Sequence, residues 1–273
     1  MNNLNKNITI TNKVSYNGVD FEILEYNELN GANSISSAMN LFFLNQVGLK
    51  LRQVKITLNN STVKTEAGAL YYYKGKIDSQ SNMGGVGGLF KKAVSGSITS
   101  ESAIKPRYSG TGEIILEPSY KYYMILELSD ESIIVDKGMF FCCSDSINIK
   151  ASAQKNISSA VLGGEGLFQL ELYGSGVVVL ECNVPQSEIV ECKLTNGEEL
   201  KVDGNFAIAR TSGVSFSVTK SDKSLIGSAL NGEGFLNTFR GEGTVWIAPT
   251  QPVYSRMMYG GMITSNNSMN NRG

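Results

Sequence analysis

The chain contains no histidine. That removes the side chain that most often acts as a general base near neutral pH, and the imidazole ligand of zinc. It also removes the base of a Ser–His–Asp triad, and no Gly-x-Ser-x-Gly elbow presents a serine nucleophile. Cysteine is scarce, at Cys142, Cys143, Cys182 and Cys192. None of these forms a Cys-x-x-Cys pair, so zinc-binding spacing is missing. Cys142 and Cys143 are adjacent, and on a strand they point to opposite faces. Four buried, reduced thiols are expected, with a Cys182–Cys192 disulfide as the alternative. No enzymatic activity, metal or cofactor is expected from this set.

Charge of neither sign dominates. Lys and Arg number 24 against 25 Asp and Glu, for a net charge of −1 and a pI of 5.7. A phosphate-binding face is therefore missing its usual footprint, and nucleic acid is a disfavoured partner. Tyr71-Tyr72-Tyr73 and Tyr120, Tyr122 and Tyr123 could stack bases, but without that positive field. No stretch approaches the ~20 apolar residues of a membrane-spanning helix. Met1–Thr11 is Asn-rich and lacks an apolar signal core, so the expectation is a soluble, cytoplasmic protein. Proline is rare, at 5 residues, and glycine abundant, at 29. Glycines between β-branched runs predict tight turns between strands.

Two landmarks recur along the chain. Gly110-Thr111-Gly112, Gly174-Ser175-Gly176 and Gly241-Glu242-Gly243 stand at nearly constant spacing, each before an apolar run such as Val177-Val178-Val179-Leu180. An acid-and-glycine turn recurs as Glu66-Ala67-Gly68, Asp136-Lys137-Gly138 and Asp203-Gly204-Asn205, each before another apolar strand. Such self-similarity marks stacked supersecondary units. The predicted fold is all-β: three tandem repeats of a small β-sandwich or double-stranded β-helix-like unit. Residues 1–47 form a β extension and loop, 48–250 the three-repeat body, and 251–273 a mobile tail. Asn17-Gly18 predicts a two-residue hairpin. Asn30 to Asn40 predicts a loop before Leu41-Phe42-Phe43-Leu44, and Asn59-Asn60 a turn between strands. Asp136 and Asp203 are expected to serve as structural turns. Glu101, Glu165 and Glu233 hold equivalent places and are expected to brace separate turns rather than share one cation.

Gly84-Gly85-Val86-Gly87-Gly88-Leu89-Phe90-Lys91-Lys92 has the glycine content of a phosphate cradle. No glycine directly precedes Lys91, however, and no Ser or Thr follows Lys92, so the P-loop pattern fails. Gly84, Gly85, Gly87, Gly88, Leu89, Phe90, Lys91 and Lys92 are instead candidates for contact with a protein partner.

Residues from about 48 to 249 resemble the altered-inheritance-of-mitochondria family. The resemblance rests on Gly84 to Leu89, Glu101-Ser102, Gly110-Thr111-Gly112, Val202-Asp203-Gly204 and Gly241-Glu242-Gly243-Thr244-Val245-Trp246. It implies a fold similar to the tryptophan-RNA-binding attenuation protein, repeated three times around a pseudo-threefold axis, and brings no established activity. The functional expectation is a non-enzymatic interaction or scaffold protein with a protein partner. The alternative is a small-ligand or RNA-binding protein using clefts between repeats.

Overall fold

The computed structural model describes residues 6–80, 105–136, 138–153, 168–203, 206–220 and 235–263. The chain is predominantly β, with antiparallel sheets and two helices among these residues. It divides into two units. The first comprises 1–132, 137–152 and 170–182; the second comprises 133–136, 153–169 and 183–273.

In the first unit, β1 (Ile8–Tyr16) and β2 (Val19–Tyr26) form an antiparallel hairpin. Asn17 and Gly18 close it at φ of 46° and 79°, the positive pair that the tightest hairpin turn requires. Helix α1 (Ile35–Gln46) follows, where the sequence predicted a loop. Next come β3 (Arg52–Thr65), β4 (Leu70–Gln80), β5 (Arg107–Leu116) and β6 (Tyr122–Asp136). They are followed by β7 (Phe140–Ser144), β8 (Asn148–Ala153) and β9 (Phe168–Cys182). The sheet runs β1-β2-β3-β7-β9, while β5 pairs with both β3 and β4, and β8 pairs with β9. Asn59-Asn60 does not end β3. Asn60 takes a φ of 48° and the register against β5 slips between Leu58 and Ser61, so the strand bulges and continues.

The core of this unit gathers Phe21, Val54, Ile56, Leu58, Ile114, Leu116, Cys142, Val177 and Val179. Val177 to Leu180 are all fully buried, as a strand covered on both faces must be. Glu66 starts the first acid-and-glycine turn. Its backbone carbonyl accepts from Ala69 and its carboxylate from the Ala67 N–H. The same carboxylate pairs with Lys105, whose ammonium lies over the Phe140 ring.

The second unit begins with the last four residues of β6. It contains β10 (Val190–Leu194), β11 (Glu199–Val202), β12 (Ala207–Thr211), β13 (Val214–Lys220), β14 (Phe235–Gly241) and β15 (Gly243–Ile247). β15 lies between β10 and β12, and the end of β6 pairs with β12. β14 lies between β11 and β13 in a separate three-stranded sheet. Leu194, Val202, Val214, Phe239 and Val245 form the core. The first residues of the predicted tail form helix α2 (Gln251–Ile263), and Tyr254 Oη donates to Glu188 Oε1 at 3.0 Å.

The Gly-x-Gly pairs share one backbone geometry. Gly110 and Gly112 sit at φ of 137° and 156°, Gly174 and Gly176 at 122° and 152°, Gly241 and Gly243 at 124° and 143°. Each pair lets the backbone of an opposing segment approach where a side chain would stand.

Candidate interaction surface

The eight candidate contact residues, Gly84, Gly85, Gly87, Gly88, Leu89, Phe90, Lys91 and Lys92, lie outside the described residues, as do Glu101, Glu165 and Glu233. Asp136 and Asp203 are described. Asp203 is exposed after β11. Asp136 ends β6, and its carboxylate accepts from Gln169 Nε2 at 2.9 Å. Gln169 Oε1 in turn accepts from the Arg210 guanidinium at 2.7 Å, and Arg210 Nε donates to the Val214 carbonyl at 3.0 Å. The guanidinium also lies 5.8 Å from the centroid of Phe216. Burial pushes the Asp136 carboxyl up to about 6, with Gln169 and Arg210 pulling the other way. Sequence spacing gives no hint of this buried chain, because its members come from three distant strands.

A second polar cluster surrounds Ser119. Its hydroxyl donates to Glu181 Oε1 at 3.0 Å, lies 3.1 Å from Tyr123 Oη, and accepts from the Lys121 N–H at 3.2 Å. Lys121 Nζ donates to the other Glu181 oxygen at 2.7 Å. Burial pushes the Tyr123 hydroxyl up to about 12. Glu181 is thus held by a cation and a hydroxyl, which suits a brace between segments better than a general base with a free lone pair. Tyr122 is also occupied, with the Arg52 guanidinium 4.3 Å from its ring centroid.

All four cysteines are free thiols, so Cys182 and Cys192 are not bonded. Cys192 stands opposite Val245 in the β10–β15 ladder. Burial pushes the thiols of Cys143 and Cys182 up to about 12, and raises that of Cys142 well above its ordinary value. Iodoacetamide on the native protein should modify Cys192 and spare the other three. In denaturant without reductant all four should react; joint protection of Cys182 and Cys192 there would reveal a disulfide. Among the described residues no three His, Cys, Asp or Glu side chains gather closely enough to hold a metal. No helix among them is long and apolar enough to cross a membrane.

What stands out instead is the edge of β4. It pairs with β5 alone among the described strands. Tyr71, Tyr72, Tyr73, Lys74, Gly75 and Lys76 are all exposed. Lysine is a residue that blunts an open edge against indiscriminate pairing. Three adjacent tyrosines are the opposite: rigid, amphipathic side chains enriched in protein interfaces.

The profile of the mitochondrial biogenesis AIM24 family matches residues 45–250. The chain belongs to the AIM24 family. An uncharacterized protein of Streptococcus pyogenes serotype M6 is 24% identical over 203 residues, covering 71% of this chain and 79% of that protein. A crystal structure of a Streptococcus pyogenes protein is similar in fold, with a TM-score of 0.55 and 21% identity over 77% of this chain and 94% of that one. The AIM24 match takes in all of β3 to β15, including the β4 edge, and leaves out the β1–β2 hairpin and nearly all of α1.

Proposed function

We propose that this AIM24-family protein is a non-enzymatic interaction module that receives an extended segment of a partner protein along the open edge of β4. The reading is supported by a correspondence among three strands, each of which follows one of the acid-and-glycine turns. β7 is the second of these, and Cys142 and Cys143 on it pair with Thr65 and Lys64 at the end of β3. β12 is the third, and Ala209 and Arg210 on it pair with Val135 and Ile134 at the end of β6. β4 is the first, and its matching residues are Tyr72 and Tyr73. Tyr72 is 55% exposed, whereas Cys142 is 0% and Ala209 6% exposed. Two positions of the three are covered by a strand end and carry small side chains; at the third no described strand but β5 lies alongside, and it carries tyrosine.

The same correspondence, with the shared Gly-x-Gly geometry, supports a body built from three copies of one unit. Strand addition at such an edge draws affinity from main-chain hydrogen bonds and specificity from alternating side chains. A photo-crosslinking residue in place of Tyr72 should give a discrete protein adduct in cells, and the same residue in place of exposed Tyr173 should not. Reproducible turnover in a broad substrate screen, or equal adducts from both positions, would sink the reading. The exposed tyrosines also favour base stacking as a second reading. Bound nucleic acid raising the 260/280 absorbance ratio, lost on Tyr72→Ala, would select it.

A further inference from the structure

We infer that α1 pairs with α1 of a second copy of this chain. The helix is fixed independently of the core. Ser34 and Ser37 form a reciprocal capping box at its start. At its end Gly48 takes a φ of 66°, Leu49 N–H donates to the Leu44 carbonyl, and Gly48 N–H donates to that of Asn45. Those two bonds make a Schellman stop. None of the twelve helical residues is buried.

Ile35, Met39 and Phe42 recur at the spacing that lines one helical face, and Phe43 widens it. They are 84%, 56%, 57% and 60% exposed. Phe42 and Phe43 meet edge to face, with ring centroids 5.5 Å apart. Leu41 and Leu44, on the opposite face, are partly covered. An apolar stripe left outward on a helix capped at both ends is a surface prepared for contact.

Charge decides between occupants. From Leu29 to Leu49 there is no Asp, Glu, Lys or Arg. A foreign protein partner is usually selected by complementary charge around an apolar centre, and α1 offers none. A helix lying on an anionic bilayer carries Lys and Arg on its polar face, and α1 has neither. A twofold pair sets residue i against j and j against i, so the paired stripe must complement itself. An apolar stripe with no charge on it does so, and a second α1 offers one of the same length. At about 1.5 Å per residue the seam is ~18 Å long, short beside a standard interface, so pairing is reversible and rises with concentration.

Sedimentation equilibrium of the full chain tests this. The wild type should pass from monomer to dimer as concentration rises. Phe42→Asp and Met39→Asp should each stay monomeric at the highest concentration, with unchanged far-ultraviolet circular dichroism and melting temperature. Both sites are exposed, so neither change should disturb the fold. A wild type that remains monomeric throughout, or a dimer that persists in both variants, would overturn the proposal. Flotation with phosphatidylcholine vesicles is the second arm. A monomer that floats with them, and ceases to on Phe42→Asp, would assign α1 to a bilayer surface instead.

Discussion

Gly110→Ala should lower the melting temperature by roughly 5–15 °C, read by circular dichroism or differential scanning fluorimetry. Gly110 sits at a φ of 137°, where a side chain is strained whatever the space around it. The space is also taken: an added Cβ would stand 2.1 Å from the Lys76 carbonyl oxygen and 3.2 Å from the Ile77 Cα. Both are backbone atoms of β4, so no side-chain rotation relieves the clash. Conformational strain of about 1–3 kcal/mol and overpacking of about 1–3 kcal/mol act together, giving roughly 2–5 kcal/mol. Gly138→Ala is the matched control. Its φ is 79°, but an added Cβ there would meet nothing within 4 Å, so only the backbone cost of about 1–2 kcal/mol applies. Equal shifts for the two variants would mean that close strand approach contributes nothing at the Gly-x-Gly pairs.

These glycines were the most legible part of the chain, because a position that only glycine can fill leaves a mark in sequence. Asn17-Gly18 was legible for the same reason. Asn59-Asn60 misled, since an asparagine at positive φ serves a bulge within one strand as readily as a turn between two. Helix α1 was hidden. Its capping box uses Ser37 where the familiar pattern has Glu or Gln, and it carries no charged face to reveal a helical period. The exposed edge of β4 is half visible. Tyr71-Tyr72-Tyr73 is legible as an aromatic run, but its exposure depends on which strand ends lie beside the corresponding strands. The Asp136–Gln169–Arg210 chain was invisible, because a hydrogen bond between distant strands leaves no local pattern.

That buried chain carries the second large expectation: Asp136→Asn should stabilise the protein near pH 7 and leave its stability near pH 4 almost unchanged. An unfolded Asp136 titrates near 3.8, whereas burial raises the folded group to about 6. Between those values the folded protein holds the proton more tightly than the unfolded chain does. The contribution of Asp136 to stability is therefore fully present below about 4 and is lost as pH rises through 6. About two pKa units correspond to roughly 2–3 kcal/mol at full effect, and the half-buried position argues for about 2. Asp20 and Glu199 behave oppositely. Lys13 holds the Asp20 carboxyl below its ordinary value, and Lys201 with Arg240 does so for Glu199, so their contributions fade as pH falls. Comparing the variant with the wild type at each pH cancels those shared effects. Asparagine keeps the oxygen that accepts from Gln169 Nε2, so the hydrogen bond to Gln169 survives the change. Urea denaturation from pH 4 to pH 8 should show the gap opening from near zero to about 2 kcal/mol across pH 4–7. A constant gap, or one that opens toward acid pH, would mean that Asp136 is ionised at low cost and that Arg210 and Gln169 outweigh its burial.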